Sequence, residues 1–183
     1  MAKLSRAARR KKVRELVWNR DFQALTHFAR SEKDVPQRVL ALAFDRDETS
    51  SWRAIEALGH LASWIAEGSG PEKVRRLIRR VLWLMNDESG GIAWKGPEVI
   101  AEILTHVPEL LDEYGRIVAS FIDEEPFVPG SHYALARLAN MLPSQFTHLA
   151  EHLETTSLKS DDPQVRGWGL VGLFAIDPAA GRR

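Results

Sequence analysis

Apolar residues recur along this chain at helical spacing, block after block, with short acidic, glycine-bearing or proline-bearing turns between the blocks. In one block Ala54, Ala57, Leu58, Leu61, Ala62 and Ile65 fall on a single helical face, and in another Gly96, Val99, Ile100, Ile103, Leu104 and Val107 do the same. No segment sustains the period-two alternation of a half-buried strand, so the pattern predicts an all-α chain. A basic amphipathic helix is predicted over 5–18. Asn19 and Asp21 break it, and they cap a second helix carrying Phe22, Leu25, Phe28 and Ala29 before Pro36 resets the pattern. Four helix–turn–helix units follow, with first helices over 37–44, 72–85, 108–122 and 143–154 and second helices over 52–66, 94–106, 131–141 and 164–174. Pro97 falls in the first turn of its helix, where a missing N–H costs little.

The second helices open alike. WRAIEALG begins at Trp52 and WKGPEVIA at Trp94, and aligning the units on the small residue that ends each block places Trp52, Trp94, His132 and Val165 at one position. Subtracting those positions gives steps of 42, 38 and 33 residues, which suit arrays of helical pairs with units of about 40 residues. The expected architecture is a single domain over 1–183. It is a right-handed α-α superhelix, a solenoid, of about four helical pairs (36–67, 71–107, 108–142 and 143–177) behind a basic capping pair over 1–35. End units of such arrays are commonly atypical because one face has no neighbour.

Once the core positions are assigned, each second helix keeps a stripe at i, i+4 and i+8: Trp52, Glu56 and His60 on one, Trp94, Glu98 and Glu102 on the next. Packed helices lie about 8–10 Å apart, so the stripes are expected side by side. In solenoids the second helices usually line the concave binding face. Tryptophans beside carboxylates there suit a basic or arginine-containing partner through ring-face and ion-pair contacts. The stripe continues as His132, Ala136 and Asn140, then Val165, Gly169 and Leu173, turning from acidic and aromatic to apolar. A packing role competes with this reading: a tryptophan at a helix start also fills the gap between repeats, and a first-turn glutamate favours the helix dipole.

Composition narrows the function classes. Lysine plus arginine and aspartate plus glutamate number 25 each, a net charge of zero, which argues against a surface made wholly for nucleic acid. There is no cysteine, so disulfides, thiolate zinc sites and thiol nucleophiles are excluded together. No apolar stretch approaches the roughly 20 residues that span a bilayer, and the basic N-terminus lacks the apolar core of a secretory signal. A cytoplasmic protein without a membrane partner is expected.

Few motifs carry chemistry. The acidic turns around Asp45, Asp87, Asp123 and Asp161 lack the spacing of a calcium loop, and their acids serve as helix caps and as partners for Arg53, Lys95 and Arg166. NDESGG, over 86–91, is the exception: paired glycines permit close backbone approach, so Asp87 and Glu88 join the candidate binding set as one wall of a ligand or peptide site. His148, Glu151 and His152 spell H-x-x-E-H, the pattern of inverted zinc peptidases, without an obvious third ligand. No metal or cofactor is expected. A nucleophile elbow, a phosphate-cradling loop and a dinucleotide fingerprint are all lacking, so no catalytic residue is assigned. KVRRLIRR, with Lys73, Arg75, Arg76, Arg79 and Arg80, is the candidate phosphate-contacting stretch of an alternative, nucleic-acid-binding reading.

At WRAIEALG, MNDESGGIAWKGPEVIAEIL and DPQVRGWGLVGL the chain resembles HEAT-like, armadillo-type repeat proteins, and 86–104 is similar to an uncharacterised bacterial HEAT-like family laid out like the lyase-associated HEAT repeats. The resemblance covers about 11–181 and implies a superhelical scaffold with no established reaction. HEAT-like DNA alkylpurine glycosylases, a related group, use aromatic and acidic residues on a basic concave face. The expected function is a non-catalytic scaffold that binds a protein or peptide partner through Trp52, Glu56, His60, Asp87, Glu88, Trp94, Glu98 and Glu102. The alternative is a nucleic-acid-binding, repair-type HEAT protein using its basic helices.

Overall fold

A computed structural model describes residues 4–86 and 93–180. Among these residues the chain forms ten α-helices and four short 3-10 helices, with no strand. Helix α1 (Arg6–Trp18) starts where the Ser5 hydroxyl accepts from the Ala8 N–H at 3.1 Å, and it ends in a left-handed turn at Arg20, φ 56°. There Arg20 N–H donates to the Val17 carbonyl and Asp21 N–H to that of Leu16, the two bonds that close a helix C-terminus around a residue that is usually glycine. Asp21 caps α2 (Phe22–Ser31) through the Ala24 N–H, as its sequence position predicts. Helix α3 (Val35–Ala43) follows, then the long α4 (Glu48–Ser69), α5 (Pro71–Met85), α6 (Gly96–His106), α7 (Leu111–Ala119), α8 (Val128–Ala139), α9 (Ala150–Thr155) and α10 (Pro163–Ile176).

The predicted boundaries move in ways that matter for the site. Asp47 caps α4 through the Ser50 N–H at 2.7 Å, so the helix begins four residues before Trp52 and puts that ring in its second turn. Helix α6 instead begins at Gly96, leaving Trp94 and Lys95 in the turn before it. The two tryptophans of the aligned openings are therefore not equivalent in space. The first helix expected over 143–154 is reduced to 3-10 turns and the six-residue α9, with Phe146 fully buried between them. Of NDESGG, only Asn86 lies within the described residues.

Helices α4, α6, α8 and α10 pack one on the next, and α3, α5, α7 and α9 pack on them in turn as the first members of their pairs. Helix α1 packs on the start of α4 and α2 packs further along it, where Phe22 stacks on His60. Buried apolar side chains from Val13 to Leu173 form one continuous cluster between these two layers. The core faces read from the sequence are buried throughout except at Ile65, which is half-buried. Close approach of α4 and α6 depends on Gly59: a Cβ there would lie 2.4 Å from His106 Nδ1 and 3.0 Å from the Glu102 carbonyl. No helix of the described residues is long and apolar enough to cross a membrane.

Candidate functional site

Across the exposed side of α4, α6, α8 and α10 runs a groove of about 670 Å³. Its aromatic row crosses three helices. Trp52 from α4 meets Tyr133 from α8 edge-on at 5.0 Å, and Tyr133 meets Trp168 from α10 at 5.0 Å and 86°. Such edge-to-face pairs contribute about 0.5–1.5 kcal/mol each beyond their burial.

Charged pairs flank the row. Arg20, held out over the groove by its left-handed turn, is bonded to Glu56. Glu102 is only 7% exposed, yet its charge is compensated: Tyr133 Oη donates to Oε1 at 2.6 Å, and Arg137 Nη2 lies 3.0 Å from the same oxygen. Burial and that bond to Glu102 push the Tyr133 hydroxyl well above the usual tyrosine range. His106 donates from Nδ1 to the Glu102 carbonyl at 2.9 Å and lies edge-on to His60 at 4.7 Å. His60 also stacks on Phe22 at 4.2 Å. Burial first, and the neighbouring His106 second, lower its pKa below the ordinary histidine value.

Of the residues singled out in the sequence, Trp52, Glu56, His60 and Glu102 are brought together in this groove. Trp94 is 64% exposed but lies outside it. Glu98, expected on the exposed stripe, is instead buried at 7% exposure. It packs so tightly on the first turn of α8 that a Cβ on Gly130 would lie 2.3 Å from Glu98 Oε2. That oxygen has no hydrogen-bond partner among the described residues, and burial pushes the carboxyl pKa up to about 7 against a weaker opposing pull from its own backbone N–H and Lys95. Asp87 and Glu88 lie outside the described residues. His132, the next member of the stripe, is a satisfied core residue: Nδ1 donates to the Val128 carbonyl at 2.8 Å, and Nε2 accepts from the Ser157 hydroxyl at 2.7 Å.

The groove is not simply acidic. Arg20, Arg53 and Arg137 line it with Glu56 and Glu102, none of which except Glu56 and Glu102 was assigned to it from the sequence. The stripe runs through 52, 56 and 60 on α4, but through 102 and 106 on α6, 133 and 137 on α8, and 168 and 171 on α10. Two signals for these were legible: Tyr133 lies one residue past the aligned position, and Trp168 sits between two glycines of α10. The expected ladder of cations and turn acids holds for Lys95, 2.5 Å from Glu48 and 5.0 Å above the Trp52 ring centre. Arg53 instead covers Trp18 at 4.2 Å, and Arg166 donates to the Ser160 carbonyl at 2.6 Å.

Chemically, the groove has rings, bidentate cations and carboxylates, and among the described residues its lining includes no serine, threonine or lysine, the usual hydroxyl and amine nucleophiles. The H-x-x-E-H segment divides between a 3-10 turn (Thr147–Leu149) and α9, with His152 Nε2 3.3 Å from Asp123. Among the described residues, no group of three or more histidine, aspartate or glutamate side chains is placed to hold a metal ion.

No protein-family model matches this chain, and no solved structure does. A protein of Archaeoglobus fulgidus described only as uncharacterized is 27% identical over 145 residues, which cover 77% of this chain and 74% of that protein.

Proposed function

We propose that this protein is a HEAT-like superhelical scaffold whose row of second helices holds a segment of a partner protein in the groove between Trp52 and Trp168. The single observation that carries the reading is the aromatic row. Trp52 and Tyr133 stand on helices separated by α6, yet their rings meet at 5.0 Å. In a flat row the axes of α4 and α8 would lie about 16–20 Å apart, twice the usual spacing. Contact across that span supports a row that curves toward the groove and makes it concave.

The partner has an arginine or aromatic anchor. Aromatic and arginine side chains dominate binding energy at protein interfaces when they enter desolvated pockets, and ring faces here already accept cations from within the chain, Lys95 on Trp52 and Arg53 on Trp18. A partner arginine can stack on an aromatic face and exchange with Arg20 for the half-buried Glu56. The carboxylate of Glu102, already bonded to Tyr133 and Arg137, holds the rim in place. Affinity capture tests this: Trp52→Ala and Trp168→Ala together should abolish partner recovery while leaving the helical content unchanged. Full recovery by the double variant would refute it.

A second reading, single-stranded nucleic acid in the same groove, is favoured by the pairing of three rings with three arginines, the elements of a stacking platform. It predicts affinity for an oligonucleotide that falls steeply with salt. Absence of binding at low salt removes it.

A further inference from the structure

A second groove, of about 890 Å³, opens between α2 and the start of α3 on one side and α5 on the other, with the C-terminal part of α4 beneath. It shares no residue with the aromatic groove. Its floor is apolar: Trp64 and Ile65 of α4 are half-buried, and Leu77 of α5 packs beside them. Its rim is cationic on both walls, with Arg30 and Lys33 on one and Lys73, Arg76 and Arg80 on the other, and no acidic residue among the described residues lines it.

We propose that this groove is a docking site for an acidic amphipathic helix of a partner protein. The charge pattern along α5 is selective. Arg75 bonds Glu113 at 2.7 Å, and Arg79 reaches Glu72 at 3.4 Å, so the cations pointing away from the groove are neutralised. The five on the rim are exposed and have no carboxylate partner among the described residues; Lys73 donates only to the Ser69 hydroxyl, at 2.9 Å.

The apolar floor decides the class of partner. A phosphate backbone offers nothing to cover Ile65 and Leu77, and one tryptophan is not a row of stacking platforms. A flat membrane surface does not reach the floor of a groove. An amphipathic helix does both: its apolar face, at i, i+3, i+4 and i+7, covers the floor, and acids on its two flanks face cations on the two walls. The groove also has helical length. Trp83, 64% exposed, lies three and seven residues beyond Arg80 and Arg76 on the same face of α5. Along α5 the lining from Lys73 to Arg80 runs about 10 Å at 1.5 Å per residue, about two turns of a bound helix, and Trp83 continues that face beyond the groove.

The test uses the full chain and a fluorescein-labelled synthetic peptide of four helical turns, with leucines on one face and glutamates on the flanks, read by fluorescence polarisation. Three controls accompany it: the same composition scrambled, the same leucine face with lysines for glutamates, and single- and double-stranded DNA oligonucleotides. The acidic amphipathic peptide should bind, and the scrambled and lysine peptides should bind at least about tenfold more weakly. Arg76→Glu with Arg80→Glu, both exposed positions, should weaken it by about tenfold or more with an unchanged thermal transition. No binding of the acidic peptide, equal binding of the scrambled one, tighter binding of DNA, or indifference to the double charge reversal would each overturn the proposal.

Discussion

Glu98 gives the sharpest prediction, because it is a buried carboxyl with one oxygen unpartnered among the described residues. Replacing it by glutamine keeps the shape against Gly130 and removes the ionisation. In the folded protein the carboxyl titrates at about 7, against an ordinary value of 4.5, and each unit of difference corresponds to about 1.4 kcal/mol. The folded pKa lies above the unfolded one. Glu98 therefore stabilises the fold most where it is protonated in both states, and that contribution is lost as pH rises from the unfolded value through the folded one. The full loss is about 3 kcal/mol, of which about 2–3 kcal/mol falls between about pH 5 and about pH 8. Urea denaturation followed by circular dichroism, on the natural protein and on Glu98→Gln at both pH values, measures it. The natural protein should lose about 2–3 kcal/mol relative to the variant on going to the higher pH. Parallel stability changes would mean that Glu98 is solvated or paired in the folded state, and the packing argument would fail.

Two further predictions follow from backbone and packing. Arg20→Gly relieves a left-handed conformation at φ 56° and loses the bond to Glu56, so its melting temperature should stay level or rise while partner capture weakens; a large fall in melting temperature would contradict the turn's role. Gly59→Ala drives a Cβ against His106 and the Glu102 carbonyl, and chemical denaturation should show a loss of about 1–3 kcal/mol, the usual cost of overpacking.

Much of the fold was legible because it rests on local physics. The apolar faces of α4 and α6 read directly from helical spacing, and Asp21 announced itself as a cap. What failed was the transfer of register from one helix to the next. Trp94 looked like the twin of Trp52, but Asp47 starts α4 early while Gly96 and Pro97 start α6 late, so one ring enters the groove and the other does not. Glu98 looked exposed because its burial comes from α8, where Gly130 lets another helix approach, a contact that no spacing within α6 encodes. Tyr133, Arg137 and Trp168 were missed for the same reason: the stripe that lines the groove shifts round each successive helix, and that shift is set by packing between helices.

Whether the proposed groove between Trp52 and Trp168 holds a partner is read by site-directed photo-crosslinking in cells. A photoreactive phenylalanine analogue replaces either Val171, exposed in the groove, or Ile117, exposed on α7 outside it. Position 171 should yield a discrete crosslinked partner that disappears on adding Trp52→Ala, and position 117 should yield none. Equal crosslinking from both positions, or a partner at 171 that persists without Trp52, would contradict it.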